Sequence, residues 1–419
     1  MTDASMLPRP ATLVSGDSPR LDGINSSGSS GGRRVRVGAN YVPSTSWFYS
    51  WLDLDLDDVR RDLDDLAELG LDHIRVFPIW PWIQPNRSHI RPRAMDDVAS
   101  VLDLAHERGL AVCLDLVQGH LSSFDFLPSW ILTWHSRSLF TDDTVRAGLR
   151  DYVRTMCRTL GAHPALFAIT TGNELNNLWP SNETSPSESL AWAQDLVGIV
   201  AEEVPQVAAL HSLFSAAWTD PGHPFTPVEA ARVGDWTSVH SWIFNGPTGI
   251  AAYDDEICLS WADYLVQLAV ASADDPHRPV WLQEVGAPGP EVPAEQAGEF
   301  ARAVLARVLD EPRLVGVTWW SSHDVSRDLV DFPEREYDLG LFTTDHRPKP
   351  VAAVLAELVA QGAPNAVERT RCVDIPLSVT HLDEQNDARA ALAAGSAWHR
   401  SWVQERREGP VGVRFVPSV

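Results

Sequence analysis

Lysine is almost absent from this chain of 419 residues. Lys349 stands alone, and 33 basic residues face 57 acidic ones, for a formal charge of −24. Such a surface repels phosphate backbones and anionic lipid, which argues against nucleic acid and membrane partners. No run reaches the ~18 apolar residues of a membrane span. Residues 1–34 lack the apolar core of a secretory signal, so a cytoplasmic location is expected. Cysteine is scarce: Cys113, Cys157, Cys258 and Cys372 lie far apart without a CxxC pair. That excludes a zinc ribbon or a dense disulfide framework. Cys113, inside an apolar run, reads as a buried free thiol. No GxGxxG follows a candidate strand, which removes support for a doubly wound dinucleotide-binding sheet. His211, His240, His323 and His346 form no HxH or HExxH pattern, so no catalytic metal is expected.

Tryptophan is in excess, with 17 residues. Its flat apolar face suits the C–H faces of sugars, and it is also a large core filler. With 44% apolar and 21% charged residues the chain is globular in composition. Residues 1–34, with SSGSSGGRR at 26–34, read as a flexible leader.

From Val35 onward, β-type runs alternate with amphipathic helical patterns. Eight strands are predicted, near 34–41, 73–79, 110–117, 165–170, 210–218, 236–242, 279–285 and 314–320. Helices are predicted over 57–69, 95–108, 142–160, 187–203, 257–272, 294–309 and 350–361, with a short one in the Pro- and Gly-rich stretch 219–235. Two joints, LAELGLDHIRVF and LAHERGLAVCLDL, end a helix, place Gly70 or Gly109 where a left-handed residue is needed, and start a strand. The strands are near-continuous apolar runs, as strands buried on both faces must be. The fold class expected is α/β, a (β/α)8 TIM barrel over 35–361. Residues 362–419, with a strand-like CVDIPLSV, a helical DARAALAAGSAWHRSWVQE and a strand-like GVRFVP, read as a small α+β appendage. The acidic run DLDLDD at 53–58 reads as a helix N-terminal cluster.

In such barrels the active site lies at the C-terminal ends of the strands. Strand four ends TTGNEL, placing Asn173 and Glu174 there. Strand seven ends WLQEVG, placing Glu284 across the mouth. A carboxylate at the end of a buried strand is costly unless paired or functional. A structural ion pair with Arg75 accounts for one such glutamate, but two facing each other suit an acid/base and a nucleophile ~5–5.5 Å apart, as in a retaining glycosidase.

These motifs resemble the clan A glycoside hydrolases, and family 5 most, over roughly 35–361. The resemblance implies that Glu174 is the acid/base, that Glu284 is the nucleophile and that Asn173 bonds the sugar 2-hydroxyl. It implies that Arg75 in IRVF orients the nucleophile and keeps it ionised. His240 matches the strand-six histidine, and Trp320, with Trp319 as the alternative, matches the strand-eight tryptophan. Two positions depart from the family. Trp242 replaces the tyrosine that bonds the nucleophile; its indole N–H can donate one bond. Val117 replaces the strand-three histidine, with His120 three residues later. Trp80, Trp82, Trp130, Trp134, Trp179, Trp218, Trp242 and Trp320 fall on the mouth side, and at least three are expected to contact sugar. Trp192 and Trp261 are expected in the core. His323, Asp324, Asp331, Glu334 and Glu336 follow strand eight as a wall of the pocket or as a solvated loop.

The expected activity is retaining hydrolysis of β-linked oligosaccharides, exo-acting in a blocked pocket, with β-mannosides the first choice and β-glucosides the second. No cofactor is required. A transglycosylase using the same glutamates, a non-catalytic sugar-binding barrel and a metal-dependent barrel hydrolase are the rival readings.

Overall fold

Apolar runs bounded by polar caps set the alternation of strand and helix from Arg36 to Gln361. The computed structural model describes residues 35–134, 136–378, 382 and 388–416; the leader expected over 1–34 lies outside them. The barrel strands are β1 (Arg36–Asn40), β2 (His73–Val76), β3 (Ala111–Asp115), β4 (Leu166–Thr170), β5 (Ala208–Leu210), β6 (Thr237–Ser241), β7 (Val280–Val285) and β8 (Leu314–Trp319). All pairs are parallel, in the order β5-β4-β3-β2-β1-β8-β7-β6. The main helices that follow them are α1 (Leu56–Glu68), α2 (Pro92–Glu107), α3 (Asp143–Leu160), α4 (Pro186–Glu203), α5 (Pro227–Arg232), α6 (Trp261–Ser272), α7 (Ala297–Val308) and α8 (Pro350–Gln361). This is a (β/α)8 barrel, nearly closed.

Local chemistry explains the boundaries. Asp55 caps α1 by accepting the N–H groups of Asp57 and Asp58, so the acidic run starts a helix, as its charge suggests. Gly70 and Gly109 take φ of +77° and +70°, turning the chain from helix into strand where a Cβ would clash with the carbonyl. Cys113 is fully buried inside the barrel, and burial pushes its thiol up to about 12, which leaves it unreactive. Trp192 and Trp261 are core residues.

One strand differs from expectation. The run at 210–218 is not a strand; β5 lies earlier, at Ala208–Leu210, and Ala216–Thr219 forms a helical turn. The gap beside β5 has no ladder to β6. Instead Asp235 reaches across, donating its N–H to Ala209 O at 2.9 Å and accepting Ala209 N–H on its carboxylate at 2.8 Å.

Beyond α8, β9 (Cys372–Ile375) pairs in parallel with β10 (Gly412–Phe415), and α9 (Ala397–Arg406) lies between them in sequence. Trp402 of α9 packs on Tyr264 of α6, ring centroids 5.1 Å apart. Arg369 is buried against Asp263 (2.8 Å), Asp310 (2.7 Å) and Glu311 (3.1 Å). Arg389 is buried too, donating to the carbonyls of Ala217 (3.3 Å), Phe225 (2.8 Å) and His223. No helix of the described residues is long and apolar enough to cross a membrane.

Candidate active site

The C-terminal ends of β4, β6 and β7 bring Glu174, His240 and Glu284 together. Glu174 starts the turn after β4 in a left-handed conformation, φ +43°. That conformation costs a non-glycine residue on the order of 1 kcal/mol and turns its carboxyl into the barrel mouth. His240 Nδ1 lies 2.7 Å from Glu174 Oε1 and 3.2 Å from Glu284 Oε2. A carboxylate oxygen of each glutamate lies within 4.8 Å of the other. Both glutamates line a cavity of about 360 Å³ together with His120, Ser122, Asn173, Asn177, Phe214, Trp242, Phe244, Trp320 and Glu336.

Beneath them Arg75 is fully buried and shared. Nη1 donates to Glu284 Oε1 (2.7 Å), Nη2 to Asn173 Oδ1 (2.6 Å), and Nε and Nη2 to Asp115 Oδ2 (3.2 and 2.6 Å). Nη1 also points at Asn40 Oδ1, 3.3 Å away. Asn173 passes the order on, donating Nδ2 to the His120 carbonyl at 2.7 Å. Trp242 Nε1 donates to Glu284 Oε2 at 3.3 Å, so the indole makes the one bond open to it. Asn177 donates to Glu174 Oε2 at 3.1 Å.

The electrostatics correct one expectation. Arg75 pulls Glu284 down, as expected, but burial outweighs it. Burial pushes both carboxyls up to about 7, and the charge of Glu174 raises Glu284 further, against His240 and Arg75. The guanidinium that opposes this in Glu284 also serves Asp115, itself pushed up to about 6 by burial. The charge on either glutamate disfavours the charge on the other, so the two behave as a coupled pair. Burial pulls His240 down to about 4, so its imidazole is neutral. His120 is raised, because Asp125 (2.8 Å) and the charges of Glu174 and Glu336 outweigh its burial.

Most mouth-side tryptophans turn out to be packing residues. Trp242 and Trp320 line the cavity. Trp319 faces away, with Nε1 toward the Leu339 carbonyl at 3.4 Å. Trp82 stacks on Tyr49 and packs on Phe126, and Trp179 packs on His223, so neither forms the cavity wall. Trp80 and Trp130 pack on each other and both bond Gln84; Trp218 is buried; Trp134 is 91% exposed. The loops after the strands are thick enough to need their own core, and tryptophan fills it. The segment after β8 also divides. His323 bonds Asp65 (3.1 Å), Asp324 pairs with Lys349 (2.6 Å), and Glu334 pairs with Arg327 (2.9 Å), whereas Glu336 reaches the cavity. Asp115, Asn40, Asn177 and Ser122 were not singled out from the sequence. Asp115 carried a readable signal, a carboxylate inside the buried run LDL at the end of β3.

Two groups of described residues bring metal-type donors within 4.8 Å of one another: Glu174, His240 and Glu284, and Asp62, His323 and His346. In the first, Arg75 already supplies a positive charge to Glu284. The second is joined by Asp65, which bonds both histidines at 3.1 and 2.7 Å.

No family model and no curated protein matches the chain. Solved structures do. GH5_18 from Streptomyces cattleya, in complex with GlcNAc, is 45% identical over 92% of this chain and 94% of that one, with a TM-score of 0.88. The chain belongs to glycoside hydrolase family 5, subfamily 18. A GH5_18 variant from Bifidobacterium longum, in complex with Manβ1-4GlcNAc, is 40% identical to this family 5 chain over 91% of each, with a TM-score of 0.87. An exo-β-1,4-mannosidase from an Opitutaceae bacterium shares the fold at 23% identity, covering 92% of this chain and 70% of that one, TM-score 0.75. This family 5 chain is thus a β-glycoside hydrolase.

Proposed function

We propose that the chain is a retaining exo-β-mannosidase that releases mannose from Manβ1-4GlcNAc. The observation that carries the mechanism is the closeness of the two glutamates, with oxygens within 4.8 Å and one imidazole nitrogen between them. Inverting enzymes keep ~6.5–9.5 Å between the carboxyls for a water molecule, and retaining ones ~5–5.5 Å. The sugar follows from the Manβ1-4GlcNAc seen in subfamily 18 relatives.

The roles follow from the partners. Glu284 touches Arg75, which makes it the member of the pair that stays ionised. Among the described residues Glu174 bonds the neutral His240 and the amide of Asn177 and no cation, so it keeps the proton. Glu284 attacks the anomeric carbon from the face opposite the leaving group, and the bond to the glycosidic oxygen breaks. Glu174 gives that oxygen its proton, and GlcNAc departs. Forming the glycosyl ester removes the charge on Glu284. Glu174, now ionised, takes a proton from water, which attacks the same carbon and displaces Glu284. Two inversions restore the β configuration. Asn173, fixed by Arg75 and by the His120 carbonyl, stands beside Glu174 to bond the 2-hydroxyl.

The test is to follow hydrolysis of Manβ1-4GlcNAc by proton NMR, alongside 4-nitrophenyl β-mannoside, 4-nitrophenyl β-glucoside and a long mannan. β-Mannose should form first, and mannan should be cut only from its ends. First formation of α-mannose refutes retention. A higher kcat/KM for the β-glucoside refutes the sugar, and internal cuts refute exo action.

A further inference from the structure

The mechanism leaves one acid of the cavity unused. Glu336, in the single turn Glu334–Glu336 after β8, lines the cavity, and its Oε2 is buried with no protein hydrogen-bond partner among the described residues. A buried carboxylate oxygen left without a donor costs about 1–3 kcal/mol or more, so the cavity is shaped to receive donors there.

Its surroundings are built. The strand pair His120–Leu121 and Phe124–Asp125 is joined by Ser122 and Ser123, whose φ values of +48° and +69° make a tight two-residue turn. The turn fixes Ser122 at the cavity. Ser122 Oγ accepts the Trp47 indole N–H at 3.0 Å, which leaves its own proton for Glu336. His120, on the same turn-linked pair, stands beside both Glu336 and Glu174. Burial, with the charge of Glu174, pushes Glu336 up to about 7.

The placement says which sugar ring it meets. Asn173, which faces the 2-hydroxyl in the reading above, bonds the His120 carbonyl; His120 and Ser122 then lead to Glu336. That arc comes from the loops after β3 and β8. Asn177, Phe214 and Phe244 come from the loops after β4, β5 and β6, on the other arc of the cavity. Going round the terminal ring from position 2, the next hydroxyls are 3 and 4.

We propose that Glu336 is a specificity-determining residue that accepts hydrogen bonds from the 3- and 4-hydroxyls of the terminal sugar, and so admits only chain ends. A carboxylate has lone pairs for two adjacent O–H donors. A 4-linked internal unit lacks one donor and carries its next sugar where Glu336 stands. The proposal rests on the exo-glycosidase reading, but is tested apart from it.

The experiment compares kcat/KM for 4-nitrophenyl β-mannoside and its 3-deoxy, 4-deoxy and 6-deoxy analogues in wild type, Glu336→Gln and Glu336→Ala. Wild type should lose roughly 10- to 100-fold on the 3- or 4-deoxy substrate, the size of a charge-assisted hydrogen bond, and less on the 6-deoxy control. Glu336→Ala should lose a similar factor on the parent glycoside and then be indifferent to the 3- or 4-deoxy change. Penalties that persist undiminished in folded variants overturn the proposal, as does an unchanged kcat/KM in both variants. If the penalty that vanishes belongs instead to a GlcNAc hydroxyl of Manβ1-4GlcNAc, the assignment to the terminal sugar is overturned. Glu336→Gln serves where Glu336→Ala does not fold. If wild type prefers a different β-glycoside, the sugar choice above fails, and the same deoxy series in the preferred sugar decides this one.

Discussion

Asp115→Asn should shift the pH profile toward acid. Asp115 takes two of the hydrogen bonds of Arg75, at 3.2 and 2.6 Å, whereas Glu284 takes one, at 2.7 Å. Two carboxylates on opposite sides of one guanidinium sit roughly 6 Å apart; at an effective dielectric near 20 their repulsion is ~2.8 kcal/mol, or ~2 pKa units. Removing the Asp115 charge also leaves Arg75 undivided. Both effects favour ionised Glu284, so its pKa falls from about 7 toward ~5. The acid limb of kcat/KM reports that ionisation in the free enzyme. At pH 6.5 the ionised fraction should rise from roughly a quarter to nearly all, about a fourfold gain in relative rate. Glu174 also loses the Asp115 charge while its neighbour is more firmly ionised, so the two effects on the alkaline limb oppose each other. The assay is the pH dependence of kcat/KM on an activated aryl β-mannoside, with circular dichroism to check the fold. An acid limb that stays put or moves upward in folded Asp115→Asn refutes the divided-arginine argument.

Four further outcomes are expected. Glu284→Ala should abolish turnover, with azide giving a product of inverted configuration. Glu174→Ala should spare the first step on nitrophenyl leaving groups, with azide giving retained configuration; an exchange of the two, read by NMR, reverses the roles. Trp242→Phe removes the 3.3 Å donor to Glu284, and kcat/KM should fall about three- to tenfold, the value of one hydrogen bond of ~0.5–1.5 kcal/mol; an unchanged rate removes the indole from catalysis. Arg369→Met removes the buried cation shared by Asp263 and Glu311, which keep Arg406 and Arg313 at 2.7 Å each, so urea unfolding should show a loss of about 1–3 kcal/mol; a loss under about 0.5 kcal/mol contradicts that.

The chain's pattern made the barrel legible because its strands are buried on both faces and its glycines mark the turns into them. Where the signal was ambiguous it failed for a definite reason. LHSLFSAAW is apolar enough for a strand, but a short apolar run does not distinguish strand from buried helix, and Leu210 is only the end of β5. Asn173, Glu174 and Glu284 were legible because strand ends in a barrel converge. Ser122 was not, and Glu336 could be read only as one of five residues of a pocket wall or a solvated loop, since loops more than 200 residues apart meet there and no local pattern announces it. The tryptophans misled by number: position on the mouth side says nothing of which face of a loop a ring covers.

The unladdered side of β5 gives the barrel a seam. Along it the sheet is tied by Asp235 at one end and by Ser212 to His240 of β6 (2.8 Å) at the other, and β5 itself is three residues long. The chain leaving β5 runs through Ala217, His223 and Phe225, the three carbonyls that Arg389 holds from the C-terminal segment. That segment therefore acts as a clasp over the weakest joint of the ring. Phe214, on the same stretch, donates its N–H to Asn176 Oδ1 at 2.9 Å, so the tail and one wall of the cavity share a support, although more than 160 residues separate them in the chain.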